Sequence, residues 1–192
     1  MTSTVLVLAS ASPRRAELLQ AAGIRFEVVP ANVDEQQHAG EDAEAYVRRL
    51  AADKAAKVAG ACPGRAVLGA DTAVVLAGEV LGKPVDPADA AGMLSRLSGR
   101  SHLVLTGVCL IDLTGHADTA VAATQVEFRP LSAAEIDQYV ASGEPMDKAG
   151  AYGIQAGARG FIVRVEGERD TVMGLPVALI QAMCERRGIQ VS

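Results

Sequence analysis

The chain has 192 residues, 49% of them apolar and 21% charged, with a formal net charge of −5 and only 3% aromatic residues, none of them tryptophan. That length supplies a hydrophobic core without staples, while the negative charge and the scarcity of stacking side chains exclude a general nucleic-acid binder or a binder of anionic membranes. No apolar run approaches the roughly 18 residues that suggest a membrane span.

In chain order, Val5–Ala9 is a short apolar run bounded by small residues and is predicted to be a buried strand. Pro13–Ala22 follows as a helix, with Ser12 placed to cap it and Gly23 to end it. Arg25–Val29 is a second strand, 32–40 a polar loop, and 42–60 a long Ala-rich helix with Asp42 as its cap. Ala66–Leu76 and Val80–Leu81 flank Ala77-Gly78-Glu79, a hairpin-like connection. Asp86-Pro87 opens another helix that ends near Ser98-Gly99.

His102–Leu113 and Ala117–Phe128 are predicted as two long antiparallel strands. Ser132-Ala133-Ala134-Glu135 has the spacing of a capping box and starts a helix to about Ser142. Beyond a glycine-rich stretch, Phe161–Val165 and Asp170–Met173 suggest a hairpin, and a last helix runs from near Leu175-Pro176 to Arg187. The pattern is that of an α/β protein with a mixed sheet flanked by helices, and one domain over 1–192 is expected. Cys62, Cys109 and Cys184 share no metal-ligand spacing and form no even set, and Met1–Thr4 carries no leader signal, so a reduced, cytoplasmic protein is expected.

Three segments carry chemistry. Ser10-Ala11-Ser12-Pro13-Arg14-Arg15 lies between a strand and a helix, where orphan amides, hydroxyls and guanidinium groups can cradle phosphate. Taken alone it reads equally as a capped surface helix with two solvated arginines. Arg48/Arg49 and Arg186/Arg187 are the other basic clusters, the last pair better suited to a helix C-terminus.

Gly69-Ala70-Asp71-Thr72 puts a carboxylate inside an apolar strand, a placement that is costly unless the group meets a metal, a base or good donors. Its small neighbours suggest close approach by a ligand. Downstream, Gly82-Lys83-Pro84 presents one ammonium from a rigid turn. Asp147-Lys148-Ala149-Gly150-Ala151-Tyr152-Gly153-Ile154-Gln155 ends on an amide that both donates and accepts, as pairing with a base edge requires. His38, His102 and His116 have no partner spacing and are read as structural or solvated. With no Cys/His pattern, a hard cation held through carboxylates and substrate phosphates is the better match.

Together these segments, with Leu8-Ala9 ahead of the first, Leu68 ahead of the second and Ser98-Gly99 between the last two, resemble the Maf family of nucleotide pyrophosphatases, in the family's order and over roughly residues 6–177. The resemblance implies an elongated α/β fold with two lobes and a central cleft, related to the inosine triphosphate pyrophosphatase architecture and often homodimeric. It implies hydrolysis of a nucleoside triphosphate to monophosphate and pyrophosphate with Mg²⁺ or Mn²⁺. By the same resemblance Asp71 matches the proton acceptor, and Ser10, Arg14, Arg15, Glu35, Lys54 and Lys83 match other polar site residues. Glu35 and Asp71 are the expected metal ligands, with the metal-binding and proton-accepting roles of Asp71 in competition. Arg14, Thr72 and Gln155 match positions tied to base choice, in the combination of the subgroup acting on dTTP and UTP. Two other readings remain: a purine or modified-nucleotide pyrophosphatase, and a regulatory nucleotide-binding inhibitor of septum formation.

Overall fold

A computed structural model describes residues 4–191; Met1–Ser3, where no leader signal was read, and Ser192 lie outside them. The elements in order are β1 (Leu6–Leu8), α1 (Pro13–Ala21), β2 (Phe26–Val28), α2 (Ala43–Ala61), β3 (Val67–Leu76), β4 (Glu79–Leu81), α3 (Pro87–Leu97), β5 (Ser101–Ile111), β6 (Ala117–Phe128), α4 (Ala133–Ala141), β7 (Ile162–Glu166), α5 (Arg169–Met173) and α6 (Val177–Arg186). Three 3-10 turns, Glu144–Asp147, Ala149–Ala151 and Ala156–Phe161, occupy the glycine-rich stretch before β7. The seven strands form one mixed sheet in the order β2-β1-β3-β5-β6-β7, with β4 added to β3. β1 runs parallel to β2 and β3, whereas β3–β4 and β6–β7 are antiparallel.

The chain divides into two compact units. The first holds the residues up to Asp71, Thr106–Ala122 and the chain from Gly174 onward; the second holds Thr72–Leu105 and Ala123–Met173. In the first unit β1 and the start of β3 are apolar on both faces, as parallel strands covered by helices must be. Leu6, Leu8, Leu68 and Ala70 pack with Leu19 of α1 and Ile180 and Met183 of α6. Val7, Ala9 and Val67 point the other way, onto Ala51, Ala55 and Val58 of α2. The β1–α1–β2 and β2–α2–β3 connections therefore lie on opposite faces of the sheet.

In the second unit Leu94 and Leu97 of α3, Ile136 and Tyr139 of α4, and Phe128 and Phe161 build a separate core. Caps set the helix starts: Asp42 and Asp86 accept amides from Ala45 and Asp89 at 2.8 Å, and Ser132 and Glu135 form the capping box. Ser12 departs from expectation. It occupies the cap position of α1, but its side chain makes no cap bond and its amide donates instead to Ser10 Oγ at 3.2 Å.

The hairpin expected over 161–173 does not form. Residues Ile162–Glu166 take β6 as their partner, leaving Arg169–Met173 without a strand to pair with. That segment coils into a short helix between Gly167 and Gly174, both at positive φ, with Thr171 buried. Its adjacent charges, Arg169 and Asp170, do not suit a strand whose faces must alternate.

His102 is buried in the second unit, its ring edge-on to Phe128 at 5.1 Å and its Nε2 sharing a 2.7 Å hydrogen bond with the Tyr152 hydroxyl. Burial pulls the imidazole down from 6.5 to about 4. A folded-state pKa below the unfolded one gives stability that is complete above pH 6.5 and is lost as pH falls through about 4. From pH 7 to 4.5 the His102 contribution is expected to fall by about 2–3 kcal/mol. Denaturant unfolding of the parent and of His102→Gln at both pH values checks this; equal losses in the two proteins would exclude His102 as the source.

Candidate functional site

The residues singled out in the first unit gather where β1 and β2 end and β3 runs on. Ser10 lies two residues past β1, and the pairing of Leu8 with Leu68 carries β3 forward to Ala70 and Asp71 alongside it. Here the connections leaving the sheet diverge to opposite faces, the switch point at which open α/β sheets present ligand-binding groups.

Alternation along β3 sends Gly69 and Asp71 toward α2. A methyl group at Gly69 would lie 2.2 Å from the Ala51 carbonyl oxygen and 2.7 Å from the Ala55 amide nitrogen. The small residue beside Asp71 was expected to admit a ligand; it admits the backbone of α2 instead. Gly107 of β5 does the same one helical turn away, where a methyl group would lie 2.3 Å from the Val47 carbonyl oxygen. This contact brings Lys54, between Ala51 and Ala55, down onto the strand.

Lys54 Nζ meets Asp71 Oδ1 at 2.6 Å and Glu35 Oε1 at 2.6 Å. Lys54 and Asp71 are 6% and 7% exposed, so this is a buried ion pair, with Glu35 closing it from the solvent side. Burial raises the Asp71 pKa from 3.8 despite the opposing pull of Lys54 and then Arg15. A carboxylate held in that state is a better proton acceptor than an exposed one.

On the other face of the sheet, Arg15 Nη1 donates to Ser10 Oγ at 3.1 Å and to the Ala70 carbonyl at 2.9 Å, and its Nε donates to the Gly174 carbonyl at 2.8 Å. Its desolvation lowers the guanidinium pKa, against the attraction of Asp71. Arg15 thus ties the loop after β1 and the first half of β3 to the start of the C-terminal segment and brings a positive charge to Asp71. Arg14, its neighbour on α1, is partly buried.

The loop bearing Glu35 is held by residues that sequence reading did not assign to it. Tyr46 donates its hydroxyl to the Glu35 carbonyl at 2.9 Å, and burial pushes that phenol up to about 12. Arg49 donates to the Gln36 carbonyl and to both oxygens of Glu41. Arg48 and Arg49 are therefore no open anion cluster: Glu44 neutralises the first, Glu41 and Asp53 the second. Arg186 and Arg187 both approach Asp118 at the start of β6, a structural role at the end of α6. The Glu41–Arg49 tie joins a loop to a helix, and no periodic pattern announces it.

Thr72, Lys83 and Gln155 belong to the second unit. Thr72 follows Asp71 on β3 and is partly buried, while Lys83 and Gln155 are exposed. Gly82 accepts the Gly150 amide through its carbonyl at 2.9 Å, so the Lys83 turn and the start of the Gln155 segment are joined. Among the described residues no group of three or more His, Cys, Asp or Glu side chains could hold a metal ion.

The fold is thus an open α/β sheet with charged groups gathered at its switch point, the place where sheets of this class take ligands. The sequence matches the family described as Maf-like protein over residues 5–187, and the chain belongs to that family. It is 56% identical over 187 residues to the dTTP/UTP pyrophosphatase of Myxococcus xanthus, covering 97% of this chain and 94% of that protein. It is 48% identical over 184 residues to the protein of the same name from Koribacter versatilis, covering 96% and 95%. Among solved structures, the Ham1 protein of Staphylococcus aureus superposes with a TM-score of 0.50 at 13% identity, over 96% of this chain and 100% of that one, a likeness of fold.

Proposed function

We propose that the chain hydrolyses nucleoside triphosphates, dTTP and UTP foremost, to the monophosphate and pyrophosphate. The observation that carries this reading is the buried Asp71 carboxylate, raised in pKa and held against Lys54. Its support from kinship is that close relatives bear the name dTTP/UTP pyrophosphatase.

In the proposed reaction a water oxygen bonds to the α-phosphorus, the bond from that phosphorus to the bridging oxygen of the β-phosphate breaks, and pyrophosphate leaves. Asp71 takes the proton from the water. Lys54 and Arg15 offset phosphate charge, with Ser10 as a further donor. Lys83 adds positive charge, while Arg14, Thr72 and Gln155 discriminate the base, roles supported by their match to Maf motifs.

Glu35 and Asp71 fit a divalent cation in part: they are two hard oxygen donors, and Mg²⁺ or Mn²⁺ takes one or two carboxylates with substrate phosphates completing the set. When bound, that ion would supply Lewis-acid stabilisation of phosphate charge. A cytoplasmic setting belongs to the same reading, supported by three free thiols and by the lack of any described helix long and apolar enough to cross a membrane.

The test is pyrophosphate release from a panel of dTTP, UTP, CTP, GTP and ATP, with and without EDTA. Release from dTTP and UTP that EDTA abolishes and added Mg²⁺ or Mn²⁺ restores is expected. A preference for purines would redirect the substrate assignment, and no release from any nucleotide would overturn hydrolysis in favour of a binding role.

A further inference from the structure

Gln155 is exposed, yet the backbone on either side of it is held by two side chains outside the segment. Two residues before it, the Gly153 amide donates to the Tyr139 hydroxyl at 3.4 Å. Two residues after it, the Gly157 amide donates to Glu144 Oε2 at 3.2 Å. The two holders are themselves linked, the Tyr139 hydroxyl donating to Glu144 Oε1 at 3.1 Å.

Contact as well as hydrogen bonding fixes the segment. A methyl group at Gly157 would lie 2.8 Å from Tyr139 Cε2 and 2.9 Å from Glu144 Oε2, and one at Gly153 would lie 3.0 Å from Lys148 Cε. At Gly157 the backbone thus lies closer to the Tyr139 ring than a side chain allows, whereas at Gly153 the end of Lys148 would have to give way by a few tenths of an ångström. Lys148 completes the assembly by donating to the Glu144 carbonyl and pairing with Asp147. Tyr139 is anchored in turn, 6% exposed and edge-on to Phe161 at 5.3 Å.

We propose that Tyr139 and Glu144 act as a clamp that positions Gln155 and so sets base selectivity, making them positioning residues for specificity. An amide side chain discriminates a base edge only while its donor and acceptor ends point the right way, and a mobile backbone would let it swivel. The clamp fixes the backbone at both flanks without touching the amide. The proposal rests on the base-selecting role given to Gln155 above.

The test compares kcat/KM for UTP and CTP in the full chain carrying Tyr139→Phe, Glu144→Ala, Glu144→Gln or Gln155→Ala. Tyr139→Phe keeps the ring on Phe161 and loses only the hydroxyl, so thermal melting should stay close to the parent. We expect Tyr139→Phe and Glu144→Ala to lower the UTP:CTP ratio on the order of tenfold, through KM for UTP, with kcat at saturation within about twofold. Glu144→Gln, which keeps an acceptor for the Gly157 amide, should restore most of the ratio. If Gln155→Ala shifts the ratio while the clamp variants keep the parent value, the clamp is overturned and base selection by Gln155 stands. If Gln155→Ala leaves the ratio unchanged, the base-selecting role falls and the clamp with it. Equal losses for both nucleotides at an unchanged ratio would reduce Tyr139 and Glu144 to structural residues.

Discussion

Replacing Asp71 with asparagine is expected to lower kcat by roughly 10²–10⁴-fold while the protein stays folded. The amide cannot take a proton, but its oxygen can still accept from Lys54, which also keeps Glu35 as a partner. The substitution is sterically neutral, and burial already disfavours the ionised carboxylate, so it removes a desolvation cost at neutral pH. The parent enzyme should carry a matching signature. Because the base form populates only above the raised pKa, kcat/KM should climb with pH through an acid limb lying above 3.8. Turnover of pyrophosphate-releasing substrate, a pH–rate profile and circular-dichroism melting check these points. Near-normal turnover in the folded variant would remove Asp71 from the chemistry.

Gly69→Ala is expected to cost about 3 kcal/mol or more of stability, since the added methyl meets backbone rather than a side chain that could turn away. The Ala51 oxygen and the Ala55 nitrogen lie 2.2 Å and 2.7 Å from where it would sit, so either α2 lifts or β3 bends. Both responses draw Lys54 away from Asp71, so any folded fraction should also turn over slowly. Gly60→Ala in the same helix is the control: it has nothing within 4 Å, and alanine suits a helix interior better than glycine by up to about 1 kcal/mol. Equilibrium denaturation of the two variants gives the contrast. Equal stabilities would show that the helix does not rest on Gly69.

Much of the fold was legible because its signals are local. The Asp42, Asp86 and Ser132 caps, the Ala77-Gly78 turn with both residues at positive φ, and the buried β1 run each depend on neighbours within a few residues. The Ser10–Arg15 loop stood out because hydroxyls and guanidinium groups sit between a strand and a helix, and Asp71 because a carboxylate interrupts an apolar strand. What could not be read were meetings between distant residues. Lys54 is one cation among many on an Ala-rich helix until Gly69 lets that helix touch the strand, and Glu35 is one acid in a polar loop until Tyr46 and Arg49 hold the loop in place. The role of Gly69 was misassigned for the same reason: smallness signals a close approach without saying by what. The short helix Arg169–Met173 was missed because its fate turned on β7 choosing β6.

The crowding of rings around Phe128 has an optical consequence. Without tryptophan, near-ultraviolet dichroism and intrinsic emission come from six residues, and Phe128, Phe161, Tyr139 and Tyr152 all lie in the second unit. Phe26 and Tyr46 alone represent the first. A melt followed through ring signals therefore watches mainly one half of the molecule, whereas far-ultraviolet dichroism weighs both. Superimposable curves would make the two units a single thermodynamic body, and separated curves would assign the first transition to a unit by wavelength alone.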